Sequence, residues 1–185
     1  FGSLGTGDGQ FGNIYNMATD ATGFLYVVDT DNKRVQKFNT IRGFLLSFDY
    51  DSVLGSPSAI SCSHSGDVFM AHNKFSGYGV KCSITQYNSS GTLQNSWTVS
   101  YTDTTVYIED IAFDSQDNLH VGGSDAGIKI FKKDGTFIKQ WGVKGTGPGQ
   151  ILELSKFAFG PNDDLYIAGC ETNNICRISK FTRTN

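Results

Sequence analysis

Three shortages shape this chain. Only three histidines occur in its 185 residues, no excess of cationic side chains is present, and no apolar stretch outruns Phe24–Val28. A membrane-spanning helix needs roughly 20 apolar residues, so none is encoded. Lys and Arg number 15 against 18 Asp and Glu, a net charge of −3 with a pI near 5.5. Nucleic-acid affinity depends on cationic neutralisation of phosphates, and here the cations are few and scattered, so nucleic acid is not an expected partner. Proline is also scarce, at three residues against 22 glycines, and 13% of the residues are aromatic. That balance fits an all-β protein of short strands and tight turns, long enough to bury a real core. The chain opens inside a repeat, not on a charged n-region or a cleavage pattern.

What is present is repetition. Met17, Ile60, Ile111 and Phe157 each precede an apolar residue by eight positions, at Leu25, Val68, Leu119 and Leu165. Val35, Ile84, Ile128 and Ile178 form a further column, followed three residues later by Phe38, Tyr87, Phe131 and Phe181. Phe48, Trp97 and Trp141 complete the first three units. Between the first two columns stand turn compositions such as Asp20-Ala-Thr-Gly23 and Ser63-His-Ser-Gly66, in which Asp bonds its own backbone and Gly supplies positive φ. Each unit therefore reads as strands a, b, c and d; in the first these are Met17–Thr19, Phe24–Val28, Arg34–Phe38 and Phe44–Phe48. The first c–d turn has its glycine one place late, at Gly43, which predicts a different turn type there. Consecutive apolar residues in the b strands predict sheets covered on both faces. Sheets stacked radially meet that demand, so a β-propeller is expected. Its four-stranded antiparallel blades would span 11–48, 49–97, 98–141 and 142–185, the last without its d strand.

The repeats also carry a family likeness. Gly5-Thr-Gly-Asp-Gly-Gln-Phe11 returns as Gly145-Thr-Gly-Pro-Gly-Gln-Ile151, and the first copy leads into Leu25-Tyr-Val-Val-Asp29 and Asn32-Lys-Arg-Val-Gln-Lys-Phe38. This resembles the NHL repeat. The match is close in unit one and partial in units three and four; unit two departs, with an enlarged b–c segment and no glycine-rich lead-in. The resemblance implies a ring that usually closes with six blades. Phe1 stands where a closing d-strand aromatic belongs, so this chain is expected to be part of a six-bladed or larger ring; a four-bladed ring is the alternative.

Strand order a-b-c-d places the a–b and c–d turns at one end and the b–c and d–a segments at the other. The second end has the longer segments and is the expected binding face. It holds His72, Lys74, Phe75 and Tyr78 from unit two, and Tyr101 and Tyr107 from the next connector. Aromatic residues of this kind are enriched at binding hot spots; packing over the blade ends is the competing role. Cys170 and Cys176 flank a predicted hairpin and are expected to pair. A Cys62–Cys82 bond requires one strand to fold over its neighbour. Asn88-Ser-Ser90 is a glycosylation sequon at the opposite end, which would leave the binding face open. Paired cysteines and a sequon point to an extracellular or cell-surface setting.

No catalytic set is legible. His64, His72 and His120 fall in a turn, at the opposite end and within a strand, and the residue after strand b is Asp29, His72, Gly123 or Gly169. A ring of metal ligands is thus missing from these blades. Neither Gly5-Thr-Gly7 nor Gly145-Thr-Gly147 leads into a helix, so no phosphate loop is read. The expectation is a non-catalytic module with no cofactor or metal, binding a protein partner, a glycan or a second copy of itself. Two alternatives come with the resemblance: a propeller enzyme of the amidating-lyase or lactonase type with a metal in its channel, and an intracellular NHL module binding RNA or protein.

Overall fold

In a computed structural model, residues 1–124, 127–147, 150–151, 153–170 and 176–182 are described. Among them the chain forms seventeen strands and one short 3-10 turn at Ser52–Leu54. A parallel pair, β1 (Ser3–Leu4) and β2 (Gln10–Phe11), closes the first glycine-rich segment. Four antiparallel sheets follow, each running in simple sequence order. The first contains β3 (Ile14–Thr19), β4 (Leu25–Asp29), β5 (Arg34–Phe38) and β6 (Phe44–Asp49). The second contains β7 (Ser56–Cys62), β8 (Val68–Ser76), β9 (Gly79–Tyr87) and β10 (Leu93–Val99). β11 (Ile108–Phe113), β12 (Leu119–Gly123), β13 (Gly127–Phe131) and β14 (Phe137–Trp141) make the third. The fourth has β15 (Leu154–Phe159), β16 (Leu165–Cys170) and β17 (Cys176–Phe181).

The strands β3, β7, β11 and β15 lie side by side in that order, so the sheets stack around a common inner edge. The apolar columns lie between sheets. Val28, Val35, Ile60 and Met70 pack at the first interface, Ile84, Ile108, Ile111 and Leu119 at the second, and Ile128, Phe157 and Leu165 at the third. The two outer faces differ from these. Met17 is 55% exposed and Ile178 is 76% exposed, although their column equivalents are buried. β16 alternates between buried and less buried residues, as a strand with one open face must, where β12, the first six residues of β8 and the last four of β4 are buried without a break. The first and fourth sheets are therefore not packed on one another. The four sheets form an open stack, an arc of a propeller, not a four-bladed ring.

The turns follow from their residues. Asp20 Oδ1 accepts from the backbone N–H groups of Thr22 and Phe24, and Asn88 Oδ1 does the same for Ser90 and Thr92. The first c–d turn corrects the sequence reading. Arg42 itself adopts φ 70°, the conformation held by Gly91 (83°) and Gly135 (87°) in the later copies, and its N–H donates to the Asn39 carbonyl as theirs do to Asn88 and Lys132. The turn type is kept, and a non-glycine residue bears the left-handed backbone.

Two features were invisible in the columns. Every inner strand has a β-bulge at the same place, skipping Tyr15, Ser58, Glu109 or Ser155 in the pairing. In the a–b turns, Asp117 (φ 62°) and Asp163 (φ 58°) replace Gly23 and Gly66 at a left-handed position. Their carboxylates accept the N–H of His64 and of Ser115, each in the preceding sheet, at 2.9 Å. The extra side chain latches one sheet to the next. Between the first two sheets the tie is different: Lys37 Nζ donates to the Ser89 carbonyl at 3.0 Å.

Candidate interaction face

The enlarged segment of unit two is a hairpin. β8 and β9 each run nine residues, against five for β4, β5, β12 and β13, and their pairing continues to Ser76 and Gly79. Alternation assigns the two sides of this ribbon. Phe69 and Ala71 face the third sheet, and Val68 and Met70 face the first. Continuing outward, Asn73 and Phe75 take the first side, His72 and Lys74 the second.

The base of the hairpin is fixed by polar groups that read as loop in the sequence. Asn73 Nδ2 donates to the Ile108 carbonyl at 2.8 Å, and Ile108 N–H donates back to Asn73 Oδ1 at 2.9 Å. The side chain thus pairs with the start of β11 as a backbone would. His72 is fully buried, with Nε2 at 2.9 Å from Thr85 Oγ1 and its ring 6.1 Å from that of Tyr50. Burial depresses its pKa to about 4, so the ring is neutral at physiological pH.

The tip is open. Phe75 is 67% exposed and Tyr78, in the two-residue turn, is 97% exposed. Tyr107, 37% exposed, meets Phe75 with centroids 6.2 Å apart and rings inclined at 51°. Lys74 is exposed and lies directly across from Lys81, a like-charge pair that weakens the ribbon. Val80 N–H donates to the Thr104 carbonyl at 2.6 Å, which anchors the d–a connector against the hairpin.

Of the six residues expected on this face, Lys74, Phe75, Tyr78 and Tyr107 are exposed at this end, with Phe75 and Tyr107 in contact on one side of the ribbon, Lys74 on the other and Tyr78 in the turn. His72 and Tyr101 are not. His72 supports the hairpin from inside. The Tyr101 ring packs over Gly123, where an added Cβ would stand 2.9 Å from it, and Lys129 Nζ lies 5.3 Å from its centroid. Its hydroxyl is buried and burial raises its pKa. Both are packing residues, because alternation and the inward turn of the connector carry them under the surface.

Cys170 and Cys176 form a disulfide, with their strands in direct register. The five residues between them lie outside the described residues. Cys62 and Cys82 are both free. They occupy non-adjacent strands at opposite ends of the second sheet, Cys62 opposite Val68 and Cys82 opposite Asn73. Cys62 also faces the first sheet and Cys82 the third, so no local folding brings them together. Asn88 sits in the exposed c–d turn at the other end, its Oδ1 2.8 Å from Ser90 Oγ.

Sequence reasoning passed over a polar group beside the inner-strand bulge. Burial raises the pKa of Glu109 and of Asp110. Asp110 Oδ2 accepts the Phe157 N–H at 2.9 Å, and Lys156 Nζ is 3.4 Å from Oδ1. The clue was weak, since a bulge moves these residues out of the columns that reveal the repeat. Among the described residues no three His, Cys, Asp or Glu side chains converge as a metal site, and no helix is long and apolar enough to cross a membrane.

Stacked four-stranded sheets of this geometry define a β-propeller. No family model matches the chain, and no curated protein matches it. Solved structures do. Over 94% of this chain and 52% of its own length, YCF48 bound to D1 peptide is similar at a TM-score of 0.66 and 16% identity. A streptogramin B lyase gives 0.61 and 14%, over 91% and 54%. A protein of unknown function from Bacteroides caccae gives 0.58 and 13%, over 92% and 61%. The chain thus spans between about half and two thirds of the length of these structures. At such identities the likeness is one of fold.

Proposed function

We propose that this chain is a non-catalytic interaction module of the NHL type that binds a protein partner through the tip of the β8–β9 hairpin, outside the cell or at its surface. The observation that carries the reading is the exposure of Phe75 and Tyr78 on a strand pair longer than its counterparts, with Tyr107 of the adjoining connector against Phe75. Large aromatic side chains, with few rotatable bonds, lose little conformational entropy on binding, and so contribute strongly when a partner covers them. The NHL assignment draws on the glycine-rich connectors and on Asp29, Asn32, Arg34 and Gln36. One structural neighbour is a propeller bound to a peptide, which is consistent with this use of the fold. The disulfide and the sequon at Asn88, in a turn whose Ser89 and Ser90 are exposed, favour an oxidising, glycosylating compartment.

The test is affinity capture of extracellular protein by the immobilised chain beside a Phe75→Ala/Tyr78→Ala variant. Capture by the native chain and loss of at least about tenfold in the variant, at an unchanged thermal midpoint, is the expected result. Equal capture by both would leave these residues as packing. Intact mass should show two free thiols and a glycan on Asn88; four free thiols and no glycan would end the extracellular reading.

A second reading has one observation of its own. Glu109 and Asp110, with raised pKa values beside Lys156, are the kind of perturbed group that marks catalytic clefts. Stoichiometric zinc or calcium in the natural protein would favour a propeller lyase or lactonase.

A further inference from the structure

Each packed interface of the stack is built from two unlike halves. At the first, Tyr26, Val28 and Val35 meet Ile60, Val68 and Met70 of the second sheet. At the next, Phe69, Ala71 and Ile84 meet Ile111, Leu119 and Val121. One half always comes from strands b and c of a sheet, the other from strands a and b of the sheet that follows.

The two outer faces carry the same halves with no sheet opposite them among the described residues. On the first sheet, Met17, Leu25 and Val27 stand at the positions of Ile60, Val68 and Met70. On the fourth, Tyr166, Ala168 and Ile178 stand at those of Tyr26, Val28 and Val35. Tyr166 is 40% exposed where Tyr26 is fully buried. The two faces are therefore not alike; each is the half that the other lacks.

The first face is already furnished for a preceding sheet. Phe11 packs with Val27 and Phe38, as Ile151, its repeat, packs with Phe157 and Leu165 inside the third interface. Aromatic pairs agree. A d-strand aromatic meets the c-strand aromatic of the next sheet three times, with centroids 5.1 Å apart for Phe48 and Tyr87, 6.3 Å for Trp97 and Phe131, and 5.3 Å for Trp141 and Phe181. Phe1 lies 5.2 Å from Phe38 in the same relation. Within their own sheets those d-strand aromatics stand directly across from Val35, Ile84 and Ile128. Ile178 is the fourth member of that column, so Phe1 marks the place where it would sit. A polar tie is in place as well. Lys37 Nζ donates across the first interface to the Ser89 carbonyl. Lys180 stands opposite Tyr166 as Lys37 stands opposite Tyr26, and Thr40 holds the place of Ser89 in the first c–d turn.

We propose that the first sheet of one chain packs on the fourth sheet of a second copy, head to tail. In that contact Ile178 of one copy lies across from Phe1 of the other, and Lys180 reaches the Thr40 carbonyl. The occupant that each face fits is a sheet of this repeat, and the chain carries one at its other end. A heterologous contact of this kind closes into a ring when its rotations sum to a full turn. Two copies of four antiparallel sheets make eight, within the range of roughly 4–8 blades found in propellers. The contact uses neither Phe75 nor Tyr78, so it stands whether or not the hairpin binds a partner.

The test is sedimentation of the full chain beside Met17→Glu and Ile178→Glu variants. Both positions are exposed, so the variants should keep the native thermal midpoint. The native chain should form species of two or more copies with a Kd of about 10 μM or tighter. Each variant spoils one half of every contact and should weaken association at least about thirtyfold. Mixing the two variants restores one native contact, Met17→Glu lending its fourth sheet and Ile178→Glu its first, so dimers should form where neither variant alone gives them. A native chain that stays monomeric at about 100 μM would overturn the proposal. Loss of association in only one variant, or no rescue on mixing, would show a face pairing with its own kind and overturn it equally. The Phe75→Ala/Tyr78→Ala protein should associate as the native chain does; a monomer there would place the contact at the hairpin instead.

Discussion

The first and fourth sheets hold the same glycine-rich connector by different means. In the first, Asp29 is fully buried and gathers four donors: Gly12 N–H at 3.0 Å, Asn32 Nδ2 at 2.8 Å, Arg34 Nε at 3.0 Å and Gln36 Nε2 at 3.3 Å. So oriented, Arg34 donates to the carbonyls of Gly7 and Gln10. In the fourth, Arg177 donates to the carbonyls of Gly145, Thr146 and Gln150, of which the last is the equivalent of Gln10. Yet Gly169 stands where Asp29 would be, and Arg177 Nε is buried without a partner. The guanidinium fork alone suffices to pin a connector. The carboxylate adds orientation and charge balance, and only one copy has it.

That contrast can be broken. Asp29→Ala should strand Arg34 and three further donors in the first sheet, and should lower unfolding free energy by about 3–5 kcal/mol in urea denaturation. A loss below about 1 kcal/mol would mean the connector is held by packing. Conversely, Gly169→Asp supplies the missing acceptor and should raise stability by about 1 kcal/mol; a decrease would show that the cavity beside Arg177 is not shaped as its counterpart is. Acid should sharpen the contrast with the smallest effect. Burial opposes ionisation of Asp29, but bonds from Asn32, Gly12 and Arg34 outweigh it and lower the pKa below its ordinary 3.8. Its contribution is therefore full above the unfolded value and is lost as pH falls through the lower folded one. Amide exchange at Gly12 should accelerate over that window while exchange at Gly147, whose N–H is held by Gln150 Oε1 at 2.8 Å, stays unchanged. Equal acceleration at both would point to global loosening.

Much of this architecture was legible because packing columns report directly on interfaces. The eight-residue interval marks adjacent strands, and three of its four first members are buried as it implies. Met17 looks the same in sequence yet is exposed, since a column records what a residue is able to pack against, not whether that neighbour is present. The hairpin was harder. His72 and Asn73 are polar and buried, so the strand that carries them resembles a loop. The bulges were harder still, because one skipped residue leaves the downstream columns intact and displaces only Glu109 and its equivalents.

The latches in the a–b turns have a mechanical meaning. Neighbouring sheets meet along their inner strands and are fastened again at the turns, by Asp117 to His64 and by Asp163 to Ser115. A wedge hinged on one edge opens until a strap stops it, so the reach of each strap sets the angle between two sheets. Those angles, summed around the stack, fix its curvature. Two aspartates in the a–b turns, next to the inner strands, thus help set how sharply the stack curves.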